Sequence, residues 1–458
     1  MANLGRPVLA AAAASLALAA GAQAAELSTM VVLGEDGAAQ ARVITDAKAC
    51  PALTVDGRRR PMSQRAAAGT LPVRPTASAP ELSKPAAFPV LTCEGQLPRG
   101  ARRAAVAGRR LPLPGPLVRR IVVIGDTGCR LKAPDAYQAC NDPAAYPFAR
   151  VAARAAAWKP DLVIHVGDYE YRENPCAADK AAACAGSPWG YGWDAWKADF
   201  FAPAAPLLAA APWIAVRGNH EDCARAGQGW MRFIDPRPLT AISDCNDPAR
   251  DIASDDRPPY AVPLGGGAQV VVLDMTTAGT KPASADAPQH AQFAADYATL
   301  DRLSRRGRYT ILALHKPILG FTNELGGLKP ATPGIQSVFA EQNPAILPKG
   351  VGLVLSGHVH IWEQISFSSD HPSQFIAGFS GTQEDTVPMP KVLPAGAAPA
   401  PGTTVGSFSS WIAGFGYMTL ERQAADRWNA KVWDLDGRVV NRCRIAGRKS
   451  RCEKPQAD

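Results

Sequence analysis

The chain has 458 residues, 47% hydrophobic and 20% charged, with 49 Lys and Arg against 41 Asp and Glu, a formal charge of +8. These are ordinary globular values, which exclude a disordered or fibrous protein and leave room for two or three average domains, or one large α/β domain with an addition. The basic excess lacks aromatic interleaving or a nucleic-acid module, so it reads as a solvated surface able to attract anions and argues against a nucleic-acid partner.

In chain order, Arg6, the apolar stretch Val8 to Ala20 and the Ala22-Gln23-Ala24 site give residues 1–24 the pattern of a signal peptide. No later apolar run reaches the roughly 18 residues that cross a bilayer, so an exported chain, periplasmic or secreted, without a membrane span is expected. Ten cysteines without a CxxC pair then point to disulfides. Nearest-neighbour spacing pairs Cys129 with Cys140, Cys176 with Cys184, Cys223 with Cys245 and Cys443 with Cys452, leaving Cys50 with Cys93.

Residues 25–116 read as a small β-rich appendage and linker. TMVVLGEDGAAQARVIT holds two β-rich runs around a Gly-Glu-Asp-Gly turn, with further runs near Leu53 and at FPVLTC. The Pro- and Ala-rich piece Pro72 to Pro89 reads as an exposed loop, and LPLPGP, Leu111 to Pro116, as the linker. Over 117–442 short, near-continuous apolar runs (RRIVVIG, DLVIHVG, PWIAVRG, AQVVVLD, YTILAL, VGLVLSG) alternate with helical patterns such as FARVAARAAAW and HAQFAADYATLDRLSRR. Strands covered on both faces look like this, so an α/β sheet with helices outside is expected. FIAGFS, WIAGFGYMTLE and WNAKVWDLDG read as later strands, Pro388 to Gly406 as a surface loop, and 443–458 as a C-terminal tail.

Residues that bind metals follow these strands, where ligand sites of open α/β sheets lie. The pieces are GDTG (Asp126), GDYEY (Asp168, Tyr171), GNHE (Asn219, His220, Glu221), ALHKP (His315) and GHVH (His358, His360). Each alone could be a turn or a helix cap. Four of the chain's seven histidines lie within these pieces, however, and two histidines at i and i+2 of an extended segment face one side. Carboxylates, imidazoles and an amide oxygen converging in this way suggest a two-metal centre.

The five blocks in this order resemble the calcineurin-like metallophosphoesterases, and GDTG with GDYEY resembles their purple acid phosphatase branch, over roughly Ile121 to Trp362. The resemblance implies a sandwich of two β-sheets flanked by helices (αββα) and an acid-phosphatase-like hydrolysis of phosphate monoesters by metal-activated water. It implies one metal held by Asp126, Asp168, Tyr171 and His360 and another by Asp168, Asn219, His315 and His358, with Asp168 shared. Most of the wider superfamily has DxH where this chain has Asp126-Thr127-Gly128; the branch lacking that histidine supplies a tyrosine, here Tyr171, while Tyr169 is left to packing. A phenolate favours Fe(III), with a divalent Fe, Zn or Mn beside it. His220 is the candidate to contact phosphate or protonate the leaving oxygen, and Glu221 to orient it. Trp189, Tyr191 and Trp193 are read as a rim for the organic part of a small phosphorylated substrate. His165 and His371 are expected to be structural and His290 to start a helix. A phosphodiesterase or nucleotidase with the same centre, or a non-catalytic phosphate or metal binder, are the alternatives.

Overall fold

A computed structural model describes residues 1–2, 27–76, 78–134, 136–324, 327–383 and 387–454. The expected signal peptide lies outside these residues. Two sheets face one another with helices on both outer sides, the αββα sandwich. The first has eleven strands, the second seven.

The strand Arg120–Ile124 shows why such apolar runs form the centre. Side chains alternate across a strand, and here Ile121 and Val123 enter the core between the sheets while Val122 and Ile124 enter the core under the outer helices. Its neighbour Leu162–His165 is parallel, with Ile121 opposite Leu162, and the crossover helix Phe148–Ala157 joins them. That helix buries Phe148, Val151, Ala152 and Ala155, the i, i+3, i+4, i+7 stripe a packed helix requires. Trp213–Ala215 continues the parallel run. In the second sheet Ala268–Val272, Tyr309–Ala313, Val351–Ser356 and Ser373–Ala377 are parallel neighbours. Helices Pro288–Ser304 and Pro333–Gln342 cover its outer face.

Four expectations need correction. The N-terminal β region is not a separate appendage: Leu27–Leu33 pairs in parallel with Trp213–Ala215 and in a full hairpin with Ala39–Thr45, so it extends the first sheet. The piece Pro72 to Pro89 is not simply exposed, because Arg74, Thr76, Ala79 and Phe88 are buried against the main body. WIAGFGYMTLE is not one strand either. Val405–Trp411 ends in the second sheet and Gly416–Arg422 begins in the first, so the chain changes sheets over residues 412–415. The boundary at 442 falls inside the strand Val439–Ala446, and Lys449–Cys452 pairs with it as the sheet's edge, so residues 443–446 and 449–452 of the expected tail belong to the first sheet. All five expected disulfides are present: Cys50–Cys93, Cys129–Cys140, Cys176–Cys184, Cys223–Cys245 and Cys443–Cys452.

Candidate metal centre

Every parallel strand that carries a sequence block ends at one place, where the two sheets meet. Loops after Ile124, His165 and Ala215 in the first sheet bring Asp126, Asp168, Tyr171 and Asn219. Those after Ala313 and Ser356 in the second bring His315, His358 and His360. Backbone pairing ties the first two loops together, Asp126 N–H to Gly167 O (2.9 Å) and Thr127 N–H to Asp168 O (3.0 Å). Asp126, Asp168 and His358 have φ of 54°, 59° and 71°, a left-handed conformation uncommon for residues other than glycine. Such strain gathers at functional sites because it aims a side chain that a regular strand would send elsewhere. The two histidines of GHVH accordingly reach the site through a turn rather than along an extended segment.

The donor atoms fall into two overlapping sets. The Tyr171 hydroxyl lies 3.0 Å from Asp126 Oδ1, 2.7 Å from Asp168 Oδ2 and 3.0 Å from His360 Nε2. His315 Nε2 lies 3.1 Å from both Asp168 Oδ2 and Asn219 Oδ1. Ligand atoms of Asp168, His315 and His358 lie within 4.8 Å of one another. Asp168 thus belongs to both sets. The imidazoles are also oriented for metal: Nδ1 of His315 is 2.8 Å from Val166 O and Nδ1 of His360 is 2.8 Å from Gln383 O. Each ring therefore donates Nδ1–H to a carbonyl and turns Nε2 inward among the other donor atoms, the arrangement ligating histidines need. Two carboxylates, a phenol, an amide oxygen and three imidazoles, mostly buried, fit a pair of cations.

Electrostatics in the protein alone show the same tension. Burial by itself would lower the His315 pKa, but Asp168, Asp126 and the Val166 carbonyl together raise it to about 9. Burial would raise Asp168, yet His315 and His220 hold it well below the usual carboxylate range. Burial and the carboxylates of Asp168 and Asp126 push the Tyr171 phenol well above its ordinary value.

Gly128 shows in its packing why no histidine stands there. A Cβ at that position would meet Tyr171 N and Asp199 Oδ2 at 2.8 Å, because the Tyr169–Tyr171 backbone lies against it. Gly218 is similar: a Cβ would come within 2.0 Å of Asp168 Oδ1. Tyr169 is packing, as expected, fully buried and stacked on His165 at 3.7 Å with its hydroxyl donating to Val216 O. His165 is structural, its Nε2 3.0 Å from Thr127 Oγ1. His371 is buried beside Ser369 Oγ, and His290 lies in the first turn of its helix, paired with Glu341.

Two expectations at the site are overturned. The Glu221 carboxylate is engaged away from the His220 ring; it is buried and accepts N–H bonds from Asp168, Tyr169, Glu170 and Gly218, clamping two ligand loops from below. Glu173 takes the expected role, with Oε1 2.9 Å from His220 Nδ1. It is held in turn by Thr76 Oγ1 (3.1 Å) and by an ion pair with Arg225. Thr76 comes from the N-terminal β region, which therefore supports the centre directly. The aromatic rim is also mostly core: Tyr191 and Trp193 are buried, and Trp193 packs on Phe201 and Phe233. Burial of large aromatic area drives such a cluster. Trp189 is half-buried with Lys84 Nζ 4.2 Å above its ring.

Sequence reasoning passed over Asp199, buried in that aromatic segment. Its carboxylate accepts from Cys129 N (3.1 Å), Tyr171 N (2.9 Å) and Arg172 Nε (2.5 Å), joining the first two ligand loops. It also passed over Arg130, Lys132 and Arg225, which line a cleft of about 390 Å³ with Asp168, Tyr171, Asn219, His220, His358 and His360. Arg130, two residues beyond Gly128, was the more legible of these.

The sequence model of the calcineurin-like phosphoesterases matches residues 119–362. The chain belongs to that family. It is a metallophosphoesterase, a hydrolase of phosphoric ester bonds, and the matched residues contain all five ligand loops. Among solved structures, a purple acid phosphatase from yellow lupin (Lupinus luteus) seeds shares the fold with a TM-score of 0.51 at 14% identity, over 94% of this chain and 74% of that one. PhoD aligns with a TM-score of 0.49 at 14% identity, over 93% of this chain and 91% of its own. GAP50, the anchor in the inner membrane complex of Plasmodium, aligns with 0.40 at 11%, over 74% and 91%. No curated protein sequence matches the chain.

Proposed function

We propose that this metallophosphoesterase is an exported, acid-phosphatase-like enzyme that hydrolyses phosphate monoesters at a binuclear centre. The observation that carries the reading is the Tyr171 hydroxyl within 3.0 Å of both Asp126 and Asp168, where a shared carboxylate joins it to the His315 set. Asp126, Asp168, Tyr171 and His360 would hold Fe(III), which a hard phenolate oxygen favours, and Asp168, Asn219, His315 and His358 a divalent Fe, Zn or Mn. Bound there, the two cations would supply Lewis acidity and a water nucleophile at mild pH.

The protein's own groups do the rest. Arg130, Lys132 and Arg225 on the cleft wall attract and orient a dianionic monoester. His220, with Nδ1 2.9 Å from Glu173 Oε1 and Nε2 2.9 Å from Arg225 Nη2, lines the same cleft, so it can contact a phosphate oxygen or hold a proton at the leaving oxygen. The nested carboxylates of Glu221 and Asp199 keep the ligand loops from moving apart as charge develops. Five disulfides support export.

Metal analysis with an ester panel tests the reading. Purified protein should contain iron and a second metal, be coloured by tyrosinate-to-iron charge transfer, and cleave an aryl phosphate faster than its bis-aryl analogue. A colourless zinc-only enzyme would defeat the iron assignment. Faster cleavage of the diester would make it a phosphodiesterase, and phosphate binding without turnover of either ester by metal-replete protein would defeat both.

A further inference from the structure

Seven arginines that the chemistry above leaves unused come together on one small sheet. Its four strands run, edge to edge, Arg109–Arg110, Ala104–Val106, Leu53–Val55 and Arg58–Arg60. Both edges consist only of exposed arginines, and exposed Arg102 and Arg103 lead into an inner strand. Charged residues on an edge discourage pairing with another chain, but Arg102 and Arg103 lie on no edge. The inner face is anchored in the core by Leu53, Val55, Ala104 and Val106. In the outer row the register sets Thr54 and Ala105 between Arg59 and Arg110, small residues between two guanidinium walls three strand spacings, ~14 Å, apart.

Asp56 is the one carboxylate of these strands and turns, and the backbone N–H groups of Arg102 and Arg103 already occupy it. None of the seven arginines forms an ion pair among the described residues. Seven arginines against one aspartate concentrate here most of a whole-chain excess of only 8. The sheet also has a definite position. Arg102 and Arg110 share a cavity of about 700 Å³ with Leu117, Asp161 and Pro212, which precede the parallel strands whose other ends carry the metal loops. Finally, Arg109 Nη1 donates to Leu27 O (2.6 Å), so the chain enters the fold beside this sheet.

We infer that the arginine sheet is a docking surface for an anionic lipid bilayer, holding the enzyme with its catalytic cleft turned towards solution. The charges spread in two dimensions over both edges and an inner strand end, which matches a field of phosphate headgroups; a linear polyanion could follow only one row. No aromatic side chain offers base stacking and no large apolar side chain projects outward, so attachment is electrostatic and reversible.

Vesicle co-sedimentation of the full chain tests this, independently of metal content or turnover. The protein should bind phosphatidylglycerol vesicles at low salt, not phosphatidylcholine vesicles, and be released by high salt. Replacing Arg58, Arg59, Arg60 and Arg103 by Gln should weaken binding at least ~100-fold, at about 1 kcal/mol per arginine near an anionic surface. Hydrolysis of a soluble aryl phosphate should be unchanged, since none of the four lines the cleft. No binding by the wild type, undiminished binding by the variant, or tighter binding to polyphosphate or duplex DNA than to vesicles at equal salt would each overturn the proposal.

Discussion

The centre is built from two unlike halves. Every oxygen donor, from Asp126, Asp168, Tyr171 and Asn219, comes from loops of the first sheet; every nitrogen donor, from His315, His358 and His360, comes from the second. The oxygen half is heavily braced. Disulfides from Cys129, Cys176 and Cys223 follow its three loops, and two buried carboxylates gather seven donors between them. The nitrogen half has no disulfide and relies on single carbonyl acceptors, Val166 and Gln383. The difference follows from charge. Anionic donors brought together repel, so their loops need crosslinks and amide nests, whereas imidazoles are drawn to those carboxylates, as His315 is to Asp168, and need only to be turned the right way.

Breaking the one oxygen donor shared by both sets, the one that links the two halves, should cost most. Asp168→Asn is expected to lose both metals and reduce turnover by more than about 1,000-fold, beyond the 10–100-fold typical of residues that only orient a ligand. Near-full metal content with activity within tenfold of wild type would end the shared-ligand assignment. Tyr171→Phe should act on one set alone: colour and iron disappear while the metal of the His315 set stays, read by metal analysis and visible absorption. Loss of both metals together would show that the sets do not fill independently.

Glu173 and Glu221 sharpen the contrast within the oxygen half. Glu173→Gln should lower kcat by ~10–100-fold through misplacement of His220, with a smaller change in KM. Glu221→Gln should instead lower stability by ~3 kcal/mol, because the amide nitrogen would face two backbone N–H donors that a carboxylate oxygen now accepts. Thermal unfolding beside steady-state kinetics separates them. If Glu221→Gln altered kcat at unchanged Tm while Glu173→Gln did nothing, Glu221 would be the orienting group that its place beside His220 in the sequence suggests.

The ligands were legible because strand ends and residue types are local: an apolar run, a glycine, then a donor. The tyrosine was legible through a gap, since Gly128 cannot ligate and Tyr171 can. The orienting carboxylate was not, because neighbourhood in sequence misleads where backbone φ is positive. Asp168 and its left-handed turn carry the chain so that Glu173 passes over His220, while Glu221 points down into the amides. Aromatic density misled for another reason: Tyr191 and Trp193 are interleaved with glycines like a rim, yet that pattern equally serves close packing in a core. Sheet membership was hidden too. Nothing local in Leu27–Leu33 says that it will pair with Trp213–Ala215 far along the chain.

The smallest predicted effect concerns the less-braced half. Glu363, in the strand Trp362–Phe367 beyond His360, is fully buried and accepts one N–H, from Phe321 at 3.2 Å, while its Oε2 has no hydrogen-bond partner among the described residues. Burial pushes its pKa up to about 8. Between the ordinary carboxylate value and about 8 the folded state holds a proton that the unfolded state has released, so stability falls as pH rises through that window. The group is neutral and harmless near pH 4 and costs a few kcal/mol by pH 8. Glu363→Gln keeps an acceptor for Phe321 and removes the titration. It should therefore raise Tm by a few degrees at pH 8 and hardly at all at pH 4.5, measured in calorimetric scans at both values. An equal gain at the two pH values would mean that Glu363 does not titrate in this window, and that the histidine half has a compensating donor the oxygen half was thought alone to possess.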